Sequence, residues 1–235
     1  MRARLIDGEY YHIYNRGNGK HKIFLCHEDY VHFIKLLYIC NSETGFKFRD
    51  SIVDLKIDAW DFDRGKPIID ISAWVLMSNH FHILLSSHRS DLWEVGYNPI
   101  TEYMRKVMTA YVMYFNKKYQ RTGSLFEGKF KSIHVNSDEY LRYLFAYFHF
   151  NPIKLIQSNW REVGIKNKDE VLAFLASYPY SSFPDFLKMG KRKESKILSN
   201  NFLPEFFHSA HVNELFDWIK NFPQVGPVGN SRSSF

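Results

Sequence analysis

Two histidines, His80 and His82, stand one residue apart in the stretch "MSNHFHILLSS". The stretch is apolar enough to read as a buried β-strand, and alternation then puts both imidazoles on one face. Imidazoles are costly to bury unless they hydrogen-bond, bind a metal or line a site. Two on one face of a strand are close enough to share a divalent metal. Taken alone, such a pair is more often a hydrogen-bonded pair at the rim of a core. Phe81, Ile83 and Leu85 form the other face, which is wholly apolar and must be covered by helices.

A second set lies in "DEYLRYLFAYFHFNP". If this is a helix from Asp138, Tyr147 and Asn151 are four residues apart and share a face. Tyr140 and Tyr143 lie one and two turns earlier, near the same side. A phenol with its ordinary pKa near ~10 is a weak nucleophile. It can attack phosphorus if a metal polarises the phosphate and stabilises the developing charge. An amide oxygen one turn further on could be a third ligand. Two histidines and one oxygen leave positions open for phosphate oxygens and water. In a chain with 15 tyrosines most are core residues, and spacing alone leaves Tyr140, Tyr143 and Tyr147 all eligible. It favours Tyr147 only because Asn151 lies one turn beyond it.

The third feature is charge. Between Glu102 and Lys131 stand Arg105, Lys106, Lys117, Lys118, Arg121, Lys129 and Lys131, against two acids, with aromatics interleaved. Bases beside stacking surfaces suit single-stranded or hairpin nucleic acid; a solvated helix face has the same composition. Arg16 and Lys20, in the first turn, are further candidate DNA contacts. The whole chain carries 31 Lys+Arg against 25 Asp+Glu, a net +6. That balance admits nucleic acid or an anionic surface as partner. No apolar run is long enough to span a bilayer, and the N-terminus lacks the apolar segment of a signal peptide. Cys26 and Cys40 form no CxxC pair, which excludes a zinc finger, and two cysteines argue against a disulfide framework. A reduced, cytoplasmic protein is expected, with no membrane partner.

At 235 residues, 45% of them apolar, the chain can bury one good core with a small appendage. A strand over Tyr10–Tyr14 leads into a turn built on Asn15, Gly17, Asn18 and Gly19. His27–Tyr38 has helical period, as does Pro99–Tyr119. The acid-rich segment 41–70 has room for a short strand or hairpin. The strand before the histidines breaks or turns at Ser78-Asn79. A loop then feeds a strand around Phe130–His134. Ser137 caps the helix from Asp138, and Pro152 should stop that helix at or near Asn151 by pushing it out of the helical region. Two more helices follow in "KDEVLAFLASY" and "NELFDWIKNF", separated by a solvated basic run, "KMGKRKESK". This order gives an α+β fold: a ferredoxin-like antiparallel sheet with helices packed on it, plus a helical C-terminal extension. The expected division is 1–160 for the catalytic domain, 161–225 for the extension and 226–235 for a disordered tail.

Four separated motifs, "MSNHFHILL", "RTGSLFEGKFKS", "DEYLRYLFAYFHFNPIK" and "YPYSSF", together with "YYHIYNRGNGKHKIF", resemble the single-tyrosine HUH transposases of the IS200-like superfamily. Most similar is the REP-associated branch, which has Asn-Pro after the tyrosine and a Ser-Ser motif in its tail. The resemblance runs roughly from Gly8 to Phe183 and implies specific roles. His80 and His82 match the metal-binding histidines, Asn151 the third ligand and Tyr147 the nucleophile; the metal would be Mg²⁺ or Mn²⁺. The reaction implied is cleavage and strand transfer of single-stranded DNA at short palindromic hairpins, through a 5′-phosphotyrosine link and a free 3′-OH. Monomer and homodimer are both compatible with it. Two other readings use parts of this set: a hairpin-binding or regulatory protein that does not cut, for which the basic, aromatic 102–131 region would suffice, and a metal-dependent phosphoesterase that uses water and needs only His80 and His82.

Overall fold

The computed structural model describes residues 4–43, 57–94, 96–189, 191–199 and 212–221. The tail at 226–235 and the middle of the acidic segment lie outside them. Four strands, β1 (Tyr11–Arg16), β2 (Asp70–Met77), β3 (His80–Ser86) and β4 (Lys131–His134), form one antiparallel sheet in the order β2-β3-β1-β4. Helix α1 (His27–Ile39) connects β1 to β2. After β3 come α2 (Ser90–Glu94) and the long α3 (Pro99–Lys118), which leads to β4. This is the strand order and connectivity of a ferredoxin-like sheet, as the α+β reading expects.

The two faces of the sheet have different work to do. On one face Ile13, Trp74, Phe81, Ile83 and Leu85 pack beneath α1 and α3. Helix α3 supplies Ile100, Tyr103, Met104, Val107, Tyr111 and Phe115, spaced so that they fall on one side. The Asn98 side chain accepts a hydrogen bond from the Thr101 N–H, and Pro99 occupies the first turn, where its missing N–H costs nothing. On the other face Ala73, Val75 and Leu84 meet α4 (Asp138–Phe150). Ser137 caps α4 by accepting from the Tyr140 N–H, with Asp138 and Glu139 in the first turn.

Helix α4 is covered on its far side as well. Ala146, Phe150 and Ile153 pack with Val171 and Leu175 of α6 (Lys168–Ser177) and with Leu215 and Phe216 of α8 (Val212–Asn221), beside the short α5 (Trp160–Val163) and α7 (Phe183–Phe186). The described part of the C-terminal extension therefore docks on α4. Its "YPYSSF" segment also lies along β2: Leu76 N–H donates to Tyr180 O at 2.9 Å and Ser182 N–H to Trp74 O at 3.0 Å. These bonds cover an edge strand that would otherwise offer open pairing groups.

Two expectations change. Helix α4 ends at Phe150, where expected, but Pro152 does not push Asn151 out of helical geometry. Asn151 has φ −55° and ψ −40°, and the chain continues through a 3₁₀ turn, Asn151–Leu155, with Pro152 in its first turn, where a missing N–H is tolerated. The basic run is not merely solvated: Lys193 pairs with Asp58 at 2.9 Å, and Arg192 donates to Ser181 O at 3.2 Å and Pro179 O at 3.0 Å. The short strand or hairpin expected in segment 41–70 falls largely on residues 44–56, outside the described residues; residues 57–69 include one 3₁₀ turn, Ala59–Asp61.

Lys118, read as a DNA contact, has an internal partner. It pairs with the fully buried Asp29 at 2.7 Å, alongside the Tyr114 and Tyr119 hydroxyls and the Leu25 N–H. Burial pushes the Asp29 carboxyl up, but these donors together outweigh it and hold the group at about 2 instead of 3.8. A lowered folded pKa stabilises the protein above the unfolded value, and the effect is lost as pH falls through the folded one. Between pH 3.8 and about 2, wild-type stability should drop more steeply than that of Asp29→Asn. Urea midpoints measured across that window check it; parallel curves would remove Asp29 from the acid response.

Candidate active site

The β2–β3 hairpin places the histidines. Met77 pairs with His80, so Ser78 and Asn79 are the turn. The loop after β1 clamps that turn: Ile23 N–H and Phe24 N–H both donate to Ser78 O, at 2.8 Å and 3.1 Å, and Gly17 N–H donates to Asn79 O at 2.9 Å. Gly17 has no room for a side chain, because a Cβ there would lie 2.1 Å from the His21 carbonyl oxygen.

The same turn orients His80. Asn79 Nδ2 donates to Lys20 O at 3.3 Å, which turns its Oδ1 toward His80 Nδ1 at 2.6 Å. An amide oxygen only accepts, so His80 carries its proton on Nδ1 and leaves Nε2 for a metal. His82 Nδ1 is also engaged, 2.8 Å from Nε2 of His12 on β1. The two strand histidines lie 5.1 Å apart between ring centroids.

Helix α4 lays its tyrosine face over this pair. Tyr140, Tyr143 and Tyr147 stack in series, with centroids 6.3 Å and 6.0 Å apart. Of the three, Tyr147 is the one with a ring contact to a strand histidine, at 5.5 Å from His82. The Arg161 guanidinium lies 4.4 Å from the centre of the Tyr147 ring. Because Asn151 stays helical, its amide remains on the Tyr147 face. Asn151 is fully buried; neither Nδ2 nor Oδ1 makes a hydrogen bond of ordinary geometry, and its side chain interacts with His80.

Electrostatics agree with this placement. Burial above all drives His80 down to about 4; the Lys154 charge adds to that, while the Asn151 side chain opposes it. That opposing effect is a side-chain hydrogen-bond interaction, which puts the Asn151 amide beside His80. Burial also takes His82 well below the usual imidazole range, helped by His12, His80, Lys154 and Arg161, and takes His12 to about 3. All three rings are neutral at pH 7, the form in which imidazole binds metals. Among the described residues no three His, Cys, Asp or Glu side chains cluster for a metal. The donor set here is instead two imidazoles and an amide. It fits Mg²⁺ or Mn²⁺ in the respect that a buried amide with no well-formed hydrogen bond has acceptor capacity left beside the two imidazoles.

The poorly satisfied amide gives a prediction. Asn151→Leu should raise the stability of the metal-free protein by about 1–3 kcal/mol, since it replaces two buried polar atoms that make no hydrogen bond of ordinary geometry with apolar ones of similar volume. Thermal melting in EDTA reads the effect, and a lowered Tm would mean that His80 satisfies the amide.

The predicted cations divide by position. Arg105, Lys106, Lys117 and Lys118 are on α3, which covers the face opposite the histidines. Arg105 pairs with Glu102 and Lys106 donates to Ser42 O at 3.3 Å. Arg121 packs over Phe115 just beyond the same helix. Lys129 lines a cavity of about 630 Å³ between α3 and the 124–130 loop. Arg16 and Lys131 stand on the strands nearer the site. Arg16 is register-paired with His80, and both cations reach Glu127; Lys20 supplies the carbonyl that holds Asn79. Sequence reasoning missed His12, Asn79, Lys154 and Arg161. The alternation of His12 with Tyr14 in "YYHIYNR" was visible, but the register that brings His12 to His82 was not.

No family model and no curated protein matches the chain. Among solved structures it is similar to a REP-associated tyrosine transposase bound to a REP hairpin, at 14% identity and TM-score 0.44 over 83% of this chain and 88% of the other. It is also similar to a bacterial tRNA(His) guanylyltransferase-like protein in complex with ATP, at 13% identity and TM-score 0.35 over 78% of this chain and 76% of the other.

Proposed function

We propose that this protein cleaves and rejoins single-stranded DNA at hairpin sites through a covalent tyrosine intermediate, as the single-tyrosine HUH transposases that its motifs resemble do. The observation that carries the reading is the placement of Tyr147 against His82 with the buried Asn151 amide beside His80. The water-using phosphoesterase would need the histidines but no tyrosine laid over them.

His80 and His82, through Nε2, and Asn151, through Oδ1, would hold Mg²⁺ or Mn²⁺. Such an ion supplies Lewis-acid polarisation of the scissile phosphate. Tyr147 Oη forms a bond to phosphorus and the P–O3′ bond breaks. The phenol's proton goes to solvent, and the departing 3′ oxygen takes one up as the free 3′-OH. Arg161, over the tyrosine ring, and Lys154, whose charge is felt at both histidines, are placed to offset the charge of phosphate and phenolate. The covalent bond conserves the energy of the broken phosphodiester, so rejoining needs no nucleotide. Arg16, Lys20 and Lys131 lie on the strand ends and loop nearest the site and suit the DNA flanking the hairpin.

Incubation with hairpin-containing single-stranded DNA and Mn²⁺, followed by denaturation, should give a protein–DNA adduct and a fragment ending in 3′-OH. Salt-sensitive hairpin binding in EDTA, with no adduct under any metal, would leave the non-cutting hairpin binder as the function.

A further inference from the structure

We infer that His12 is the positioning residue that fixes His82 in the tautomer able to bind a metal, an inference that rests on the metal-site reading above. His12 is 4% exposed and sits on β1 diagonally across from His82, since the register pairs His12 with Leu84 and Tyr14 with His82. Its ring is held by Phe148 and Tyr14, each with its centroid 4.9 Å away. Nε2 lies 2.8 Å from His82 Nδ1, while Nδ1 is buried with no partner.

Two proton placements satisfy that bond. If His12 donates, His82 must carry its own proton on Nε2 and cannot ligate through it. If His12 accepts, His82 is protonated on Nδ1 and its Nε2 lone pair is available. Asn79 has already imposed the second state on His80, because its oriented amide oxygen can only accept. The two histidines form one donor pair only if His82 is in the same state. His12 then carries its proton on the unpartnered Nδ1. That orphan is a standing cost, one that an apolar residue in the same space would avoid, and the bond to His82 is the compensating gain. Partners of this kind hold a ligating ring at one angle and raise its basicity.

The test uses the full chain without DNA. Nitrogen-15 NMR of the wild type should show His82 protonated on Nδ1, both metal-free and with Mg²⁺. His12→Leu, which keeps the packing but not the acceptor, should weaken Mn²⁺ binding about 10–100-fold by calorimetry. His12→Gln, whose amide oxygen accepts from Nδ1–H, should restore most of it. Circular dichroism melts show which variants are folded, and the wild-type tautomer is readable even if a variant is not. Equal Mn²⁺ affinity in wild type and folded His12→Leu, or His82 protonated on Nε2 with metal bound, overturns the role of His12. A wild type that binds neither metal instead overturns the metal site itself.

Discussion

Tyr147→Phe should reduce formation of the DNA adduct by more than about 10³-fold while hairpin affinity stays unchanged. The substitution removes one oxygen and keeps a ring that is 5% exposed, stacked on Tyr143 and set against His82, so the packing of α4 is preserved. Tyr140→Phe and Tyr143→Phe should each retain the adduct. Their hydroxyls are one and two positions further along the stack, and burial pushes the Tyr140 phenol up to about 12, away from the ionised form a nucleophile needs. Mass spectrometry of the trypsin-digested adduct would locate the attached residue. Adduct formation in Tyr147→Phe, or attachment at Tyr140 or Tyr143, would show that the tyrosine nearest His82 is not the nucleophile.

His80→Ala and His82→Ala should each weaken Mn²⁺ binding by more than about 10²-fold and remove the adduct with it. The two differ in their structural cost. His82 is buried and hydrogen-bonded to His12, so its loss orphans the second nitrogen of His12 and should cost about 1–3 kcal/mol of stability. His80 is half-buried in the hairpin turn and bonded to Asn79, which can turn to water when the imidazole is gone. His80→Ala is therefore the cleaner probe of chemistry: the melting temperature should hold while metal affinity falls. Unchanged Mn²⁺ affinity in a folded His80→Ala would take this histidine out of the donor set. In both variants hairpin binding measured in EDTA should persist, because the cations proposed to meet phosphate are separate from the histidines.

Much of the arrangement was legible because it follows from local rules. Alternation put His80 and His82 on one face of β3, and helical period put Tyr147 and Asn151 on one face of α4. The Ser137 cap and the Asn98-Pro99 start mark helix ends in the sequence itself. Local rules placed the end of α4 but mispredicted the conformation at the joint with Pro152. A proline disfavours helical geometry in the residue before it, yet Asn151 remains helical, with Phe150 and Ile153 on either side buried against the C-terminal helices. Packing there outweighs a local preference. The charge pattern did not show where its bases stand, for a related reason. The bases of α3 are real, but the apolar face of that helix binds it to the sheet surface opposite the histidines, and Lys118 is spent on Asp29.

By itself the sequence determined the elements, the two sets of chemical residues and the side of its own element on which each stands, because periodicity is a property of the chain alone. Only the tertiary structure decided that the two sets meet. The β1–β3 register brought His12 to His82, and the loop clamp on Ser78-Asn79 turned His80. The packing of α4 on the sheet singled out Tyr147 among three tyrosines that spacing left level. Lys154 and Arg161 joined the site through the fold of the chain beyond Pro152. Each of these depends on contacts between residues distant in sequence, and their energies are invisible until the chain has folded.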